Sequence, residues 1–247
     1  MQKFSNLKFI VDLNKDIEVL NGFLKTAKFF NMKKDLKMGF YDSYPDLEKI
    51  IKSKNIQKQK NKLIKSFIQK IYQRDSIQIN KAIKDAKRQW QKNKRYFLKK
   101  ISNLFKNYPW PKGKYVAYPT IWGVYPRFIN DKTFFFPYIY KNKNFILFVI
   151  MHEMLHFIFY DYAIKKHPEI FRKLDTETGT FWDLAEIFNA IILSLPEFKK
   201  LHKQKKIFCY SEHKKYFSKL KKLWQNTMIV DNWLIIGYEY LERQKIN

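Results

Sequence analysis

Two histidines and a glutamate lie within five residues of one another in an almost wholly apolar stretch, Phe145 to Tyr162 (FILFVIMHEMLHFIFYDY). His152 and His156 are four residues apart, and side chains at i and i+4 lie on one face of a helix, so both imidazoles can bind one metal ion. Glu153 lies about 100° further round the axis, where its carboxylate can act on a water molecule that the metal activates. The HExxH spacing therefore predicts two zinc ligands and a general base, the parts of a zinc hydrolase.

The apolar surroundings of the motif strengthen this prediction. Histidines that simply pack in a hydrophobic core are the ordinary alternative. A carboxylate between them in an apolar helix, however, costs several kcal/mol unless a positive charge pairs with it. A divalent cation would supply that charge, so the surroundings of Glu153 favour a metal site.

From about residue 115 to residue 196 the chain resembles the zincin metallopeptidases, on the strength of the HExxH motif and the apolar helices around it. The resemblance implies an α+β fold with a small mixed sheet, then the active-site helix and a further helix that carries a third ligand. The metzincin pattern HExxHxxGxxH fails, because Phe159 and Tyr162 occupy the glycine and third-histidine positions. The third ligand must therefore come from further along the chain.

Glu186 is the favoured third ligand. It follows His156 by 30 residues, in the segment Phe181–Ala190 (FWDLAEIFNA), and this arrangement resembles the gluzincins. The segment is apolar nearly all round, so its lone glutamate needs a partner. Asn189 lies one turn further along the same face and could orient a ligand. The resemblance implies a Zn²⁺ cofactor and a peptide or protein substrate, with Glu153 as general base.

Two other residues remain candidates for the third ligand. His167, in HPEIF, gives a weaker resemblance to the SprT-like proteases, in which a later histidine binds the metal, although Pro168 indicates that the helix stops there. Asp161 lies five residues past His156 and would suit an aspartate-type zincin. Asp183 is more simply explained by a capping box with Thr180 as N-cap.

The composition describes a globular chain of 247 residues that is 46% hydrophobic and carries a formal charge of +27. A single cysteine, Cys209, rules out an internal disulfide framework and fits a reducing compartment. No run reaches the roughly 18 apolar residues of a membrane span, and the N-terminus lacks a signal-peptide core. We therefore expect a cytoplasmic protein without a membrane span.

The excess positive charge is concentrated in residues 49–106, which hold 16 Lys and 3 Arg against two Asp. Apolar residues in this segment recur at helical spacing, which predicts two long amphipathic helices with a break near Ser76 to Asn80. A solvated lysine face is one explanation, and a lysine bias of the whole chain is another. The functional alternative is a basic arm that binds DNA, RNA or an acidic protein, either in a nucleic-acid-associated protease or in a binding protein with a structural metal site.

The sequence predicts two parts, a mostly helical and strongly basic part over residues 1–110 and the zincin-like catalytic domain over residues 111–247. Strands are predicted at Tyr115–Tyr118, Ile121–Val124 and Thr133–Tyr140, and the resemblance makes Thr133–Tyr140 the candidate substrate-binding edge. Asn144 is the expected N-cap of the active-site helix. The gluzincin resemblance also implies a residue that stabilises the oxyanion, for which the candidates are His202, His213, Tyr238 and Tyr240.

Overall fold

The computed structural model describes residues 6–27, 36–140, 142–207 and 209–246, and these form an α+β fold. In chain order the elements are β1 (Lys8–Phe9), α1 (Leu13–Ala27), a π-helix (Lys37–Tyr41), α2 (Pro45–Lys52), α3 (Gln57–Arg74), α4 (Ser76–Leu104), β2 (Val116–Thr120), β3 (Arg127–Phe128), β4 (Thr133–Pro137), α5 (Lys143–Lys166), α6 (Pro168–Phe171), α7 (Gly179–Leu193), α8 (Pro196–His202), α9 (Lys214–Thr227) and α10 (Val230–Ile246). The predicted class, α+β with a small mixed sheet, is confirmed.

The chain forms two compact units. The sheet unit comprises the described residues of 6–89 and 114–146, and the helical unit those of 90–113 and 147–246. Helices α4 and α5 each contribute residues to both units. The division therefore does not follow the sequence boundary at residues 110 and 111, because both units draw on both sides of it.

The sheet unit contains a four-stranded sheet in the order β1-β2-β4-β3. Strands β1, β2 and β4 are parallel, and β3 pairs antiparallel with the start of β4. The predicted strands at Tyr115–Tyr118 and Thr133–Tyr140 correspond to β2 and β4. The prediction that Thr133–Tyr140 forms an edge is wrong, because β4 lies between two neighbours.

The predicted strand at Ile121–Val124 is also wrong. The main-chain NH of Ile121 donates to Asp16 Oδ2 at 3.1 Å, and that of Trp122 donates to Thr120 Oγ1 at 3.1 Å. The NH of Gly123 donates to the carbonyl of Gly39 at 2.8 Å. With these donors bound to side chains and to the π-helix, the segment forms a bend instead of a strand.

Asp16 is at the centre of the sheet unit, with no exposed surface. Besides Ile121, it accepts hydrogen bonds from Thr120 Oγ1 at 2.6 Å and from Tyr72 OH at 2.8 Å. Burial raises the pKa of the Asp16 carboxyl to about 6, although the three hydrogen bonds oppose the shift. This carboxyl links α1, α3 and the segment after β2.

The two predicted amphipathic helices correspond to α3 and α4. They are separated at Asp75, next to the predicted break. Apolar residues at helical spacing are buried in both helices, as predicted: Ile64, Ile68 and Ile71 in α3, and Ile83, Ala86, Trp90, Phe97 and Ile101 in α4. The charged residues of the two helices lie mostly on their exposed faces.

Helix α5, which carries the HExxH motif, is long and largely apolar. Its N-terminus is capped by Asn142, whose Oδ1 accepts hydrogen bonds from the main-chain NH groups of Asn144 at 3.0 Å and Phe145 at 3.2 Å. The cap is therefore two residues earlier than the predicted Asn144. Among the described residues, α5 is the one helix long and apolar enough to cross a membrane, and 83% of its most apolar 18-residue window is buried inside the protein. Burial of that extent is consistent with the core helix of a soluble protein.

Candidate metal centre

The two motif histidines converge as their spacing predicts. Their Nε2 atoms lie 3.1 Å apart and their ring centroids 4.8 Å apart on one face of α5. His156 is completely buried, and the side chain of His152 is 14% exposed. Phe148 and Tyr160 continue the same i, i+4 row, with the Tyr160 ring stacked on His156 at an interplanar angle of 13°.

Glu186 completes this group from α7. Its Oε2 lies 3.1 Å from Nε2 of His152, and its Oε1 lies 3.3 Å from Nε2 of His156. Every residue of α7 from Leu184 to Leu193 is buried. The structure therefore brings together the three residues that the sequence selected as ligands, and it does so inside the core of the helical unit.

Helices α5 and α7 run antiparallel past each other. Tyr160 packs edge-on against Phe181 with centroids 5.0 Å apart, and Asn189 Nδ2 donates to the main-chain carbonyl of His152 at 3.0 Å. These contacts lie before and after Glu186 along α7, and they fix its position along the helix axis relative to the two histidines. Asn189 therefore contacts the main chain of the helix that carries His152, and its expected role in orienting a ligand remains a prediction.

The donor set could hold a metal ion. The two Nε2 atoms are 3.1 Å apart, and each lies 3.1–3.3 Å from a different oxygen of the Glu186 carboxylate. With one ligand atom from each residue, the three donors lie within 4.8 Å of one another. Hydrogen bonds alone do not satisfy all three side chains. If the Nε2 atom of each histidine donates to the Glu186 carboxylate, two N–H donors face each other with their nitrogens 3.1 Å apart. A cation that accepts all three lone pairs removes this conflict.

The charge state of Glu186 agrees with this chemistry. Burial raises the pKa of its carboxyl, but the neighbouring His156 and His152 outweigh burial and hold the pKa well below its ordinary value. Glu153, the predicted general base, follows His152 on α5 and is itself 5% exposed.

The two other candidates for the third ligand lie in separate polar contacts. Asp161 accepts hydrogen bonds from Tyr108 OH at 2.7 Å and from Lys165. His167 Nε2 lies 3.0 Å from Asp231 Oδ1, beside contacts of Asp231 with Tyr162 and Lys106. In the part of the chain that the structure describes, the group able to hold a metal consists of His152, His156 and Glu186.

Asp183 does not form the predicted capping box. Helix α7 begins at Gly179, whose φ of +77° suits glycine, and Thr180 is already inside the first turn. The Asp183 carboxylate instead accepts His213 Nε2 at 2.8 Å and contacts the Lys245 ammonium. Burial raises the pKa of Asp183, but the His213 and Lys245 contacts outweigh it and leave that pKa below its usual value.

The candidates for oxyanion stabilisation are all placed in other contacts. Both ring nitrogens of His202 bind main chain, at Leu193 and Gln204. His213 is 1% exposed and packs between Asp183, Trp182 and Tyr210. Tyr238 packs on Phe171, and Tyr240 on Tyr216. None of these contacts involves His152, His156 or Glu186.

Sequence reasoning missed one feature near the site, the segment Cys209–His213. It is held to α7 through His213 and through Tyr210, whose ring lies 5.2 Å from that of Trp182. Burial raises the pKa of the Cys209 thiol, and the Glu212 and Glu186 carboxylates add to the rise. Since Trp182 lies one turn before Glu186, the segment lies near the ligand helix. The sequence held no periodic signal for it.

The chain matches no protein-family model, no curated protein and no solved structure.

Proposed function

We propose that this protein is a zinc-dependent metallohydrolase, and by its resemblance to the zincins a peptidase that acts on a peptide or protein substrate. The observation that supports this most is the convergence of three donor groups: the Nε2 atoms of His152 and His156 are 3.1 Å apart, and the two oxygens of the Glu186 carboxylate lie 3.1 and 3.3 Å from them. Helices α5 and α7 would then carry the ligands of a gluzincin-like metal centre.

His152, His156 and Glu186 would hold the ion through two neutral nitrogens and one anionic oxygen. Bound there, zinc would supply a Lewis acid that polarises a substrate carbonyl and lowers the pKa of water. The carboxylate of Glu153 takes the proton from the attacking water and passes it to the nitrogen of the leaving amine. The new C–O bond forms first, as water adds to the carbonyl carbon, and the peptide C–N bond breaks afterwards, when its nitrogen has received the proton from Glu153.

Two features favour a hydrolytic site over a closed structural one. Catalytic zinc sites use three protein ligands and keep one position open, whereas structural sites are closed by four. The described group has three members. A closed structural site would need a fourth ligand, for which Asp161 and His167 are candidates, and these two residues contact Tyr108 and Asp231 instead. His152 is also partly exposed, which gives the group a side towards solvent.

Zinc content tests the ligand assignment. The purified chain and three variants, Glu186→Gln, His167→Ala and Asp161→Asn, are loaded with ZnCl₂, passed through a desalting column and measured by elemental analysis. We expect one zinc per chain for wild type, His167→Ala and Asp161→Asn, and a large loss for Glu186→Gln. Full zinc in Glu186→Gln together with loss in His167→Ala would overturn the assignment.

Hydrolysis is tested separately, with fluorescein-labelled casein as a general protein probe and a chelator-treated sample as control. Zinc-dependent release of labelled peptides by wild type is the expected result. A zinc-loaded chain that cleaves neither casein nor a mixed peptide library would contradict the peptidase assignment but not the assignment of the metal ligands.

A cytoplasmic location is part of the same proposal and rests on the single cysteine.

A further inference from the structure

A long stretch of the chain contains no acidic residue. From Ala86 to Asn130 there is no Asp or Glu, and Lys and Arg are frequent. The part of α4 that belongs to the helical unit, Trp90 to Leu104, lies within this stretch. Its positive charge is therefore not balanced by neighbours on the same helix.

The two faces of this part of α4 differ sharply. Trp90, Phe97 and Ile101 have no exposed surface, and the Phe97 ring packs against Trp110 and Phe198 in the helical unit. The opposite side is exposed, and we call it the α4 basic face; its members are Gln91, Lys92, Arg95, Tyr96 and Lys99. Their spacing of i, i+3, i+4 and i+7 or i+8 places them on one side of a helix.

The cations of the α4 basic face are not engaged by carboxylates. Within the described ranges, Lys92, Arg95 and Lys99 have no ion-pair partner, in contrast to Arg88 and Lys106, which pair with Asp85 and Asp231. Three cations on about two turns of helix form a concentrated positive field that attracts polyanions.

One aromatic ring lies among these cations. Tyr96 is 42% exposed, and the Lys100 ammonium lies 5.5 Å from its ring centroid. A lipid surface would need several apolar side chains on this face, and Tyr96 is the only one there. Proteins that bind single-stranded nucleic acid combine cations, which contact the phosphates, with aromatic rings, on which the bases stack.

We propose that the α4 basic face binds single-stranded nucleic acid, with Lys92, Arg95 and Lys99 on phosphates and Tyr96 stacked on a base. The inference does not rest on the metal centre. Binding of this kind is sequence-tolerant and depends strongly on salt, because each neutralised phosphate releases counterions.

The test measures fluorescence anisotropy of a labelled 20-nucleotide oligo(dT) with the full chain between 50 and 300 mM NaCl. The variant Lys92→Gln/Arg95→Gln/Lys99→Gln should reduce the slope of log K against log salt by about 2, since a single strand contributes about 0.7 per phosphate contact. Tyr96→Ala should weaken binding by about tenfold through lost stacking.

A matched control removes the same charge elsewhere in the helical unit. Lys215, Lys219 and Lys222 are exposed and lie at i, i+4 and i+7 on α9. The variant Lys215→Gln/Lys219→Gln/Lys222→Gln should bind oligo(dT) nearly as well as wild type. Equal weakening by both triple variants would show an effect of net charge alone and overturn the proposal.

Two further outcomes would also overturn it. One is tighter binding of a 20-base-pair duplex than of oligo(dT), with no effect of Tyr96→Ala, which would indicate a duplex surface. The other is competition by poly-glutamate that is equally strong in wild type and Tyr96→Ala, which would indicate an acidic protein partner. Circular dichroism of each variant checks that α4 stays folded, as expected for exposed positions.

Discussion

Asn189 Nδ2 donates a 3.0 Å hydrogen bond to the main-chain carbonyl of His152 and so joins the helix of the glutamate to the helix of the histidines. Asn189 is completely buried. The bond fixes the level at which Glu186 meets His152 and His156. A change at Asn189 should therefore alter metal binding without removing any ligand.

Asn189→Ala tests this coupling. The variant leaves the His152 carbonyl without its side-chain donor but also removes Asn189 Oδ1, which has no hydrogen-bond partner among the described residues. The free energy of unfolding should therefore fall by only about 1 kcal/mol. Zinc affinity should fall by about tenfold, at the lower end for residues that support ligands. Urea unfolding and competition with a zinc-binding dye measure the two quantities.

Ser194→Ala is the matched control for that variant. Ser194 Oγ donates to the carbonyl of Ile191 at 2.7 Å, beyond the last turn of α7 and away from the ligands. It should leave zinc affinity unchanged. Equal zinc affinities for Asn189→Ala and wild type would show that the bond supports the fold and not the metal centre.

Glu153→Gln separates metal binding from turnover. Glutamine keeps the shape of the side chain but cannot accept a proton, so the loss of the general base should lower kcat by about 10²- to 10⁴-fold. Zinc content should remain at the wild-type level. Glu169→Gln, at an exposed acid beyond the end of α5, is the control and should change neither quantity. Wild-type kcat in Glu153→Gln would eliminate Glu153 as the base.

Asp16 makes the stability of the sheet unit depend on pH. Its folded pKa of about 6 exceeds the ordinary 3.8, so the folded state binds more protons between these values. The free energy of unfolding should therefore fall as pH rises from about 4 to about 6, by about 3 kcal/mol in total from this group. In Asp16→Asn this dependence should be absent. The amide has one acceptor oxygen for the three donors Thr120, Tyr72 and Ile121, so the overall stability should be lower.

Urea unfolding between pH 4 and pH 7, followed by tryptophan fluorescence, measures the Asp16 contribution as the difference between the two proteins. Trp122 is a suitable probe, because its Nε1 donates to the main-chain carbonyl of Asp16 at 2.9 Å. A wild-type protein that gains stability relative to Asp16→Asn over this range would contradict the prediction.

What the sequence predicted correctly depends on spacing within one element. The i, i+4 histidines of α5, the single glutamate of α7 and the apolar rows of α3 and α4 each follow from helical periodicity and burial cost. The structure brings His152, His156 and Glu186 together as expected, and their role as ligands remains the proposal that the zinc measurements test.

The predictions that failed depend on partners far apart in the chain. The NH of Ile121 binds a carboxylate 105 residues away, so β-branched and aromatic residues there form a bend. Asp183 pairs with His213, 30 residues later, instead of closing a capping box. The position of β4 inside the sheet depends on the two-residue strand β3, which is too short to give a sequence pattern. Local propensity cannot anticipate these tertiary contacts.

His213→Ala should release the segment that carries Cys209. His213 holds this segment to α7 through Asp183, at 2.8 Å, and through the ring of Trp182, at 5.3 Å between centroids. Loss of a buried hydrogen bond costs about 1–3 kcal/mol, so opening of the segment should become about 5- to 150-fold more frequent. Because Cys209 is the only cysteine and is half-buried, its reaction with Ellman's reagent at pH 7.4 reports this opening directly. The reaction rate of Cys209 should rise by the same factor in His213→Ala.

His167→Ala is the control. It breaks another His–Asp contact, that with Asp231 at 3.0 Å, and should leave the reaction rate of Cys209 near that of wild type. Equal rates in the two variants would show that the His213–Asp183 contact does not hold the segment in place.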